Sequence, residues 1–136
     1  MAGFGNTFRK TLNDAVFRDQ AFGQIFVRLN TADPGPDGQT GTEVSGGSYA
    51  AFATTGTTWT VGTAADPSVV SNAALISFAA ASAPWGTVTH VSLWLHATST
   101  LAANFVGATS IPPQVVTTGN TFTFPIGNLA HSFDSV

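Results

Sequence analysis

The 136-residue chain is 43% apolar but only 8% charged, so it can fill one packed core yet must solvate its surface with neutral groups such as Thr, Ser, Asn and Gln. It contains no cysteine, which excludes disulfides and thiolate metal sites, and no run of about 18 apolar residues, which excludes a bilayer-spanning helix. All four basic residues, Arg9, Lys10, Arg18 and Arg28, precede position 29, and the remainder carries Asp33, Asp37, Glu43, Asp66 and Asp134 without a single Lys or Arg; a body without cations cannot grip a phosphate backbone, so nucleic acid is excluded as its partner.

Residues 1–20 mix charges with single phenylalanines and lack the continuous apolar stretch of a secretory leader. The spacing predicts a helix over 6–22. Asn6 suits the N-cap, Phe8, Leu12, Ala15 and Val16 recur at helical spacing, and Gly23 suits a stop. Such a helix either packs on its own domain or docks on a neighbouring subunit or virion protein. In the second case Phe8, Leu12 and Val16 supply the apolar face, while Arg9, Lys10 and Arg18 meet an acidic partner. The chain thus divides into a helical segment, 1–23, and a single β domain, 24–136.

After Gly23 the period falls to two. Ile25, Val27 and Leu29 alternate with Phe26, Arg28 and Asn30, a strand signature. Residues 32–48, dense in Asp, Pro and Gly, form a long loop, and long loops are usually functional or mobile. Asp33, Asp37 and Glu43 could ring a calcium ion there, although Asp-Pro-Gly turn chemistry explains Asp33 without metal. Weaker strands follow at 49–53 and 57–62, then a turn at Asp66-Pro67. Residues 73–80 place Ile76 and Phe78 on one face. The clearest strand is 86–96, with Val91, Leu93 and Leu95 on one side and His90, Ser92, Trp94 and His96 on the other. Residues 104–108 and 114–118 read as two strands separated by Ile111-Pro112-Pro113, because Pro-Pro belongs outside a central strand. Gly119-Asn120 is a turn, Phe122, Phe124 and Ile126 alternate, and Leu129, His131 and Phe133 close the chain. The pattern predicts a mainly β fold, an antiparallel β-sandwich or jelly roll with a short N-terminal helix.

Convergent chemistry is sparse. His90 and His96 lie ~20 Å apart on an extended strand, too far to share a metal ion. There is no phosphate-binding Gly-Lys loop and no nucleophile elbow. No catalytic residue, metal site or cofactor is expected. Trp59, Trp94, His90 and His96 are the candidates for a face that meets a partner or receptor. Trp94 either anchors such a contact or lines a second buried face.

Two segments carry a resemblance. TADPGPDGQTGTEVSGGSYA (31–50) and ISFAAASAPWGTVTHVSLW (76–94) resemble the signatures of small phage virion proteins usually labelled phage tail fibre proteins. The combination of TGTEVSGGSYA with PWGTVTH is specific, and the tail 111–129 is similar to their closing pattern. Trp94, Leu95 and His96 stand where that family more often has a short Asp-bearing turn. The resemblance implies a non-enzymatic virion structural protein with a β-sandwich, commonly a homotrimer, assembled in the host cytoplasm without a membrane anchor. The first expectation is an exterior decoration (cement) subunit bound to the major capsid protein. The alternative is a tail-fibre or baseplate module that binds a host receptor through Trp94, Trp59 or the 33–48 loop. A depolymerase would need paired carboxylates flanking a bond, and the confident strands carry no acids.

Overall fold

A computed structural model describes residues 5–63 and 69–132, with the backbone alone at 131 and 132. The predicted turn at Asp66-Pro67, the side chain of His131 and all of Phe133 lie outside the described residues. The fold is mainly β, with antiparallel sheets and one short N-terminal helix. Its strands are β1 (Phe26–Asn30), β2 (Phe52–Ala53), β3 (Trp59–Val61), β4 (Val69–Asn72), β5 (Ile76–Ser77), β6 (Gly86–Trp94), β7 (Phe105–Val116), β8 (Thr123–Phe124) and β9 (Ala130–Ser132). They form a sheet β2-β1-β6-β7, a sheet β3-β4-β9 and a pair β5-β8. The sandwich or jelly-roll layering belongs to the sequence expectation alone. The chain divides into two compact units, residues 1–23, 54–76 and 124–136 forming one and residues 24–53 and 77–123 the other.

In the first unit, helix α1 (Asn6–Asn13) continues as a π-helical turn, Asp14–Arg18, and ends there rather than at residue 22. The wider turn, seen in the bond from Asp19 N–H to Asp14 O, adds a residue per turn and rotates the inward stripe. Asn13 and Phe17 become the buried positions, while Leu12 and Val16 are half-buried. Phe17 meets Trp59 edge-on with centroids 5.2 Å apart, and the Arg18 carbonyl lies so close to Gly56 that no Cβ would fit there. Asn72, 1% exposed, is the unit's polar staple. Its Nδ2 donates to Ala74 O, Phe124 O and Pro125 O, and its Oδ1 accepts from Leu129 N–H.

In the second unit β6 is a central strand. Val91 to Trp94 are four successive buried residues, so both sheet faces are covered. Beside the sheet, Phe78 centres an aromatic cluster with Tyr49, Phe52, Trp85 and Phe122 at 6.0–6.5 Å between centroids. Tyr49 and Trp85 also meet edge-on at 5.4 Å, and Trp85 Nε1 donates to Gly47 O at 3.0 Å.

The expected break at Ile111-Pro112-Pro113 is corrected, because β7 runs through it. The register explains how. Val88 pairs with Gln114 and His90 with Ser110, so three β7 residues oppose Thr89 alone. That bulge on an edge strand needs no ladder N–H from either proline.

Gly47 sits at φ +56, and a Cβ there would lie 2.7 Å from Ala83 O and 2.8 Å from Trp85 Nε1. Gly46 has φ +71 but open space around it. Gly46→Ala is therefore expected to cost only the left-handed backbone penalty, about 1 kcal/mol. Gly47→Ala is expected to cost roughly 2–3 kcal/mol, since packing against Trp85 must also shift. Equilibrium urea denaturation of the two variants measures the difference.

Candidate functional site

In an antiparallel ladder, directly paired residues share a face. The β1–β6 register pairs Val27 with Leu93 and Leu29 with Val91, which gives one apolar face. It pairs Phe26 with Trp94, Arg28 with Ser92 and Asn30 with His90, which gives a second, polar and aromatic face. The 31–43 loop folds back over this second face. Asp33 Oδ1 accepts from Gly35 N–H at 2.8 Å and Asp37 Oδ1 from Gln39 N–H at 3.1 Å, so each aspartate shapes its own turn. Gly38 lies flat on the Trp94 and Phe105 rings, where a Cβ would come within 2.8 Å of both. Gln39 Nε2 donates to Thr100 O at 2.7 Å and ties the loop to the 97–104 segment. Thr31 N–H to Thr42 O and Val44 N–H to Leu29 O then bring Glu43 opposite Asn30.

Arg28, 1% exposed, is the centre of this arrangement. Its guanidinium carbon stands 4.3 Å from the Trp94 ring centroid, a cation–π contact. Nη2 donates to Ser99 O at 2.9 Å and also to His96 O. Nη1 reaches Glu43 Oε2 at 3.4 Å. The Tyr49 hydroxyl donates to Glu43 Oε1 and accepts from Leu29 N–H, each at 2.9 Å.

Burial sets the protonation tendencies. It lowers the Arg28 pKa from its usual value, and Glu43 and Tyr49 oppose the shift. Burial raises the Glu43 pKa against the pull of Tyr49 and Arg28. Burial and the neighbouring Glu43 carboxylate hold the Tyr49 phenol well above its usual range. A cavity of about 180 Å³ opens beside the group, lined by Arg28, Asn30, Glu43 and Trp94, by loop residues 38–41 and by Thr100.

The residues singled out from the sequence occupy different environments. Trp94 is 4% exposed and Trp59 3% exposed, so both rings are buried, Trp94 on the second face of the sheet. Trp94 Nε1 donates to Ser92 Oγ, which donates to Asn30 Oδ1. Trp59 Nε1 donates to Thr54 Oγ1. The period-2 pattern showed that Trp94 opposed the apolar face; it did not show that a loop covers it. His90 is half-buried, with its Nδ1 2.9 Å from Thr89 Oγ1. His96 is exposed, and its Nδ1 accepts from Thr98 and Ser99 N–H.

On α1 and the π turn, Phe8 is 51% exposed, Leu12 and Val16 are half-buried and Arg18 is exposed. Arg9 Nη2 donates to Asn6 Oδ1, and Lys10 pairs with Asp14 at 2.7 Å. Among the described residues no three His, Asp or Glu side chains gather as metal ligands. Arg28, Glu43 and Tyr49 were missed as a group. The available signals were a lone cation inside an apolar strand and an acid within the TGTEVSGGSYA segment.

The family model described as Gp80, Podophage GP4 fiber I protein gp80, matches residues 3–132. No curated protein matches the chain.

Arg28→Met would leave Glu43 and two carbonyls without their donor, and a loss of about 3 kcal/mol is expected by urea denaturation. Arg28→Lys should recover only part of it, because an ammonium lacks the planar fork. The raised Glu43 pKa fixes a sign. A carboxyl that holds its proton more tightly when folded stabilises below its unfolded pKa, and that stability is lost as pH rises through the folded value. The stability of the wild type relative to Glu43→Gln should therefore fall as pH rises above the ordinary carboxylate range. Paired urea midpoints from acid to neutral pH check it; a relative stability that rises with pH would contradict it.

Proposed function

Since the chain belongs to the family of podophage GP4 fiber I protein gp80, and is thus a phage tail fibre protein and a structural component of the virion, we propose that it is a non-enzymatic module meeting the host receptor through its 33–48 loop. The family match carries the tail-fibre alternative and gives no support to the capsid-decoration expectation. The burial of both tryptophans and the exposure of the loop support the loop as the contact among the three. Asp33, Pro36, Asp37, Gln39, Thr40, Gly41 and Thr42 are exposed, and the bonds just described pin the loop to the sheet beneath. A pinned loop contacts a partner with little ordering cost.

The same observations favour binding over turnover. Asp33 and Asp37 are held in turns and Glu43 in an ion pair, so no pair of them is arranged to flank a glycosidic bond. Attachment to other virion proteins falls to the N-terminal segment, with Phe8, Leu12 and Val16 as the apolar contact and Arg9, Lys10 and Arg18 around it. A homotrimer is the assembly in keeping with symmetric fibre packing.

Immunogold labelling of intact virions with an antibody to this chain should place label on the tail. Purified, fluorescently labelled protein should adhere to host cells, and substitution of the exposed loop residues Gln39 and Thr40 by Ala should reduce adherence. Label confined to the head would contradict the tail location, and absence of adherence would overturn the receptor reading.

A further inference from the structure

A cavity lies beneath the 33–48 loop. Its floor is formed by the buried Arg28, Asn30 and Trp94, and its rim by the exposed Gln39, Thr40, Gly41 and Thr100. A concave site with a buried floor and a few convergent polar groups is the usual form of a small-ligand site. Arg28 Nε, a buried donor, has no hydrogen-bond partner among the described residues, although the two Nη atoms are engaged. Buried donors in native proteins are normally matched by an acceptor.

The cavity's size and charge narrow the ligand. At about 180 Å³ it is smaller than the ~300–1,000 Å³ of drug-sized pockets and holds roughly six waters' volume. One six-membered ring with its hydroxyls fits that space; an oligosaccharide does not. The only charges in the lining, Arg28 and Glu43, are paired with each other. The cavity therefore offers no net positive charge to an anion, and a ligand carboxylate would meet Glu43. The remaining side chains, Asn30, Gln39, Thr40 and Thr100, are neutral donors and acceptors.

We propose that this cavity binds one uncharged sugar residue, whose hydroxyls bond to the Gln39, Thr40 and Thr100 rim above the buried floor. The site deepens the host-contact reading and rests on it for its biological use. A ligand of about a dozen heavy atoms in so small a site binds with roughly millimolar affinity.

Saturation-transfer NMR on the full chain tests the proposal, with methyl α-D-glucopyranoside, methyl α-D-mannopyranoside, methyl β-D-galactopyranoside and D-glucuronate as probes. At least one neutral glycoside should give signal and glucuronate none. Thr100→Trp, at the exposed rim, should reduce affinity by about tenfold or more by obstructing the mouth while preserving the thermal melt. Gln39→Ala should weaken binding severalfold without obstruction. No signal from any neutral glycoside, equal signal from glucuronate, or binding unchanged in both variants would overturn the proposal. Adherence of the protein to host cells without glycoside signal sinks the cavity site and leaves host contact standing. Glycoside binding without adherence does the reverse.

Discussion

One buried cation organises the larger β unit. Arg28 is the only basic residue beyond position 18, and it sits in the sheet with 1% of its surface exposed. Taking an ion out of water costs several kcal/mol after relaxation, so it persists only where partners surround it. Those partners come from separate parts of the chain: Glu43 on the first loop, the His96 and Ser99 carbonyls after β6, and the Trp94 ring at the end of β6. The guanidinium therefore constrains two loops at once. The close approach of Gly38 to Trp94 and Phe105, and the bond from Gln39 to Thr100, then close the loop over the same face.

Glu43 and Tyr49 connect this polar centre to the aromatic one. Tyr49 uses its hydroxyl on Glu43 and Leu29 and its ring on Phe78 and Trp85. Gly47, two residues earlier, accepts from the Trp85 indole and from Ser82 N–H, and Ser48 Oγ bonds Ser82 Oγ. The two segments that resemble fibre proteins, TGTEVSGGSYA and PWGTVTH, thus meet in space. The residues they carry are packing and turn residues: a glycine with no room for a Cβ, an indole with a carbonyl to donate to and a tyrosine that bridges two networks.

The parts legible in the sequence were those governed by local period. β1 and β6 were evident from alternation, the long loop from its Asp, Pro and Gly, and the helix from its 3.6-residue spacing. What escaped required knowledge of a neighbour. The Pro-Pro pair reads as a break until β6 is seen to pair across a three-residue bulge at Thr89. The π turn shifts the buried position to Phe17, which an ideal helical stripe omits. Trp94 and Arg28 alternate correctly, but alternation assigns a face and says nothing about what covers it. The candidate site was illegible for the same reason, since its lining joins residues 28, 43, 94 and 100, brought together only by strand register and loop closure.

The charge distribution acquires a meaning from this placement. Had Arg28 been exposed, the β region would carry a cation able to steer toward anionic surfaces. Buried and paired with Glu43, it contributes rigidity and leaves the loop surface to neutral groups and turn-forming aspartates. The proposed association through such a surface would rely on hydrogen-bond geometry more than on long-range attraction, with Asp33 and Asp37 as its exposed charges. In the proposed trimeric assembly, effective concentration would supplement single-site affinity. Under that proposal a small, rigid contact of weak affinity would be sufficient, and such a contact is compatible with the low charge of the chain.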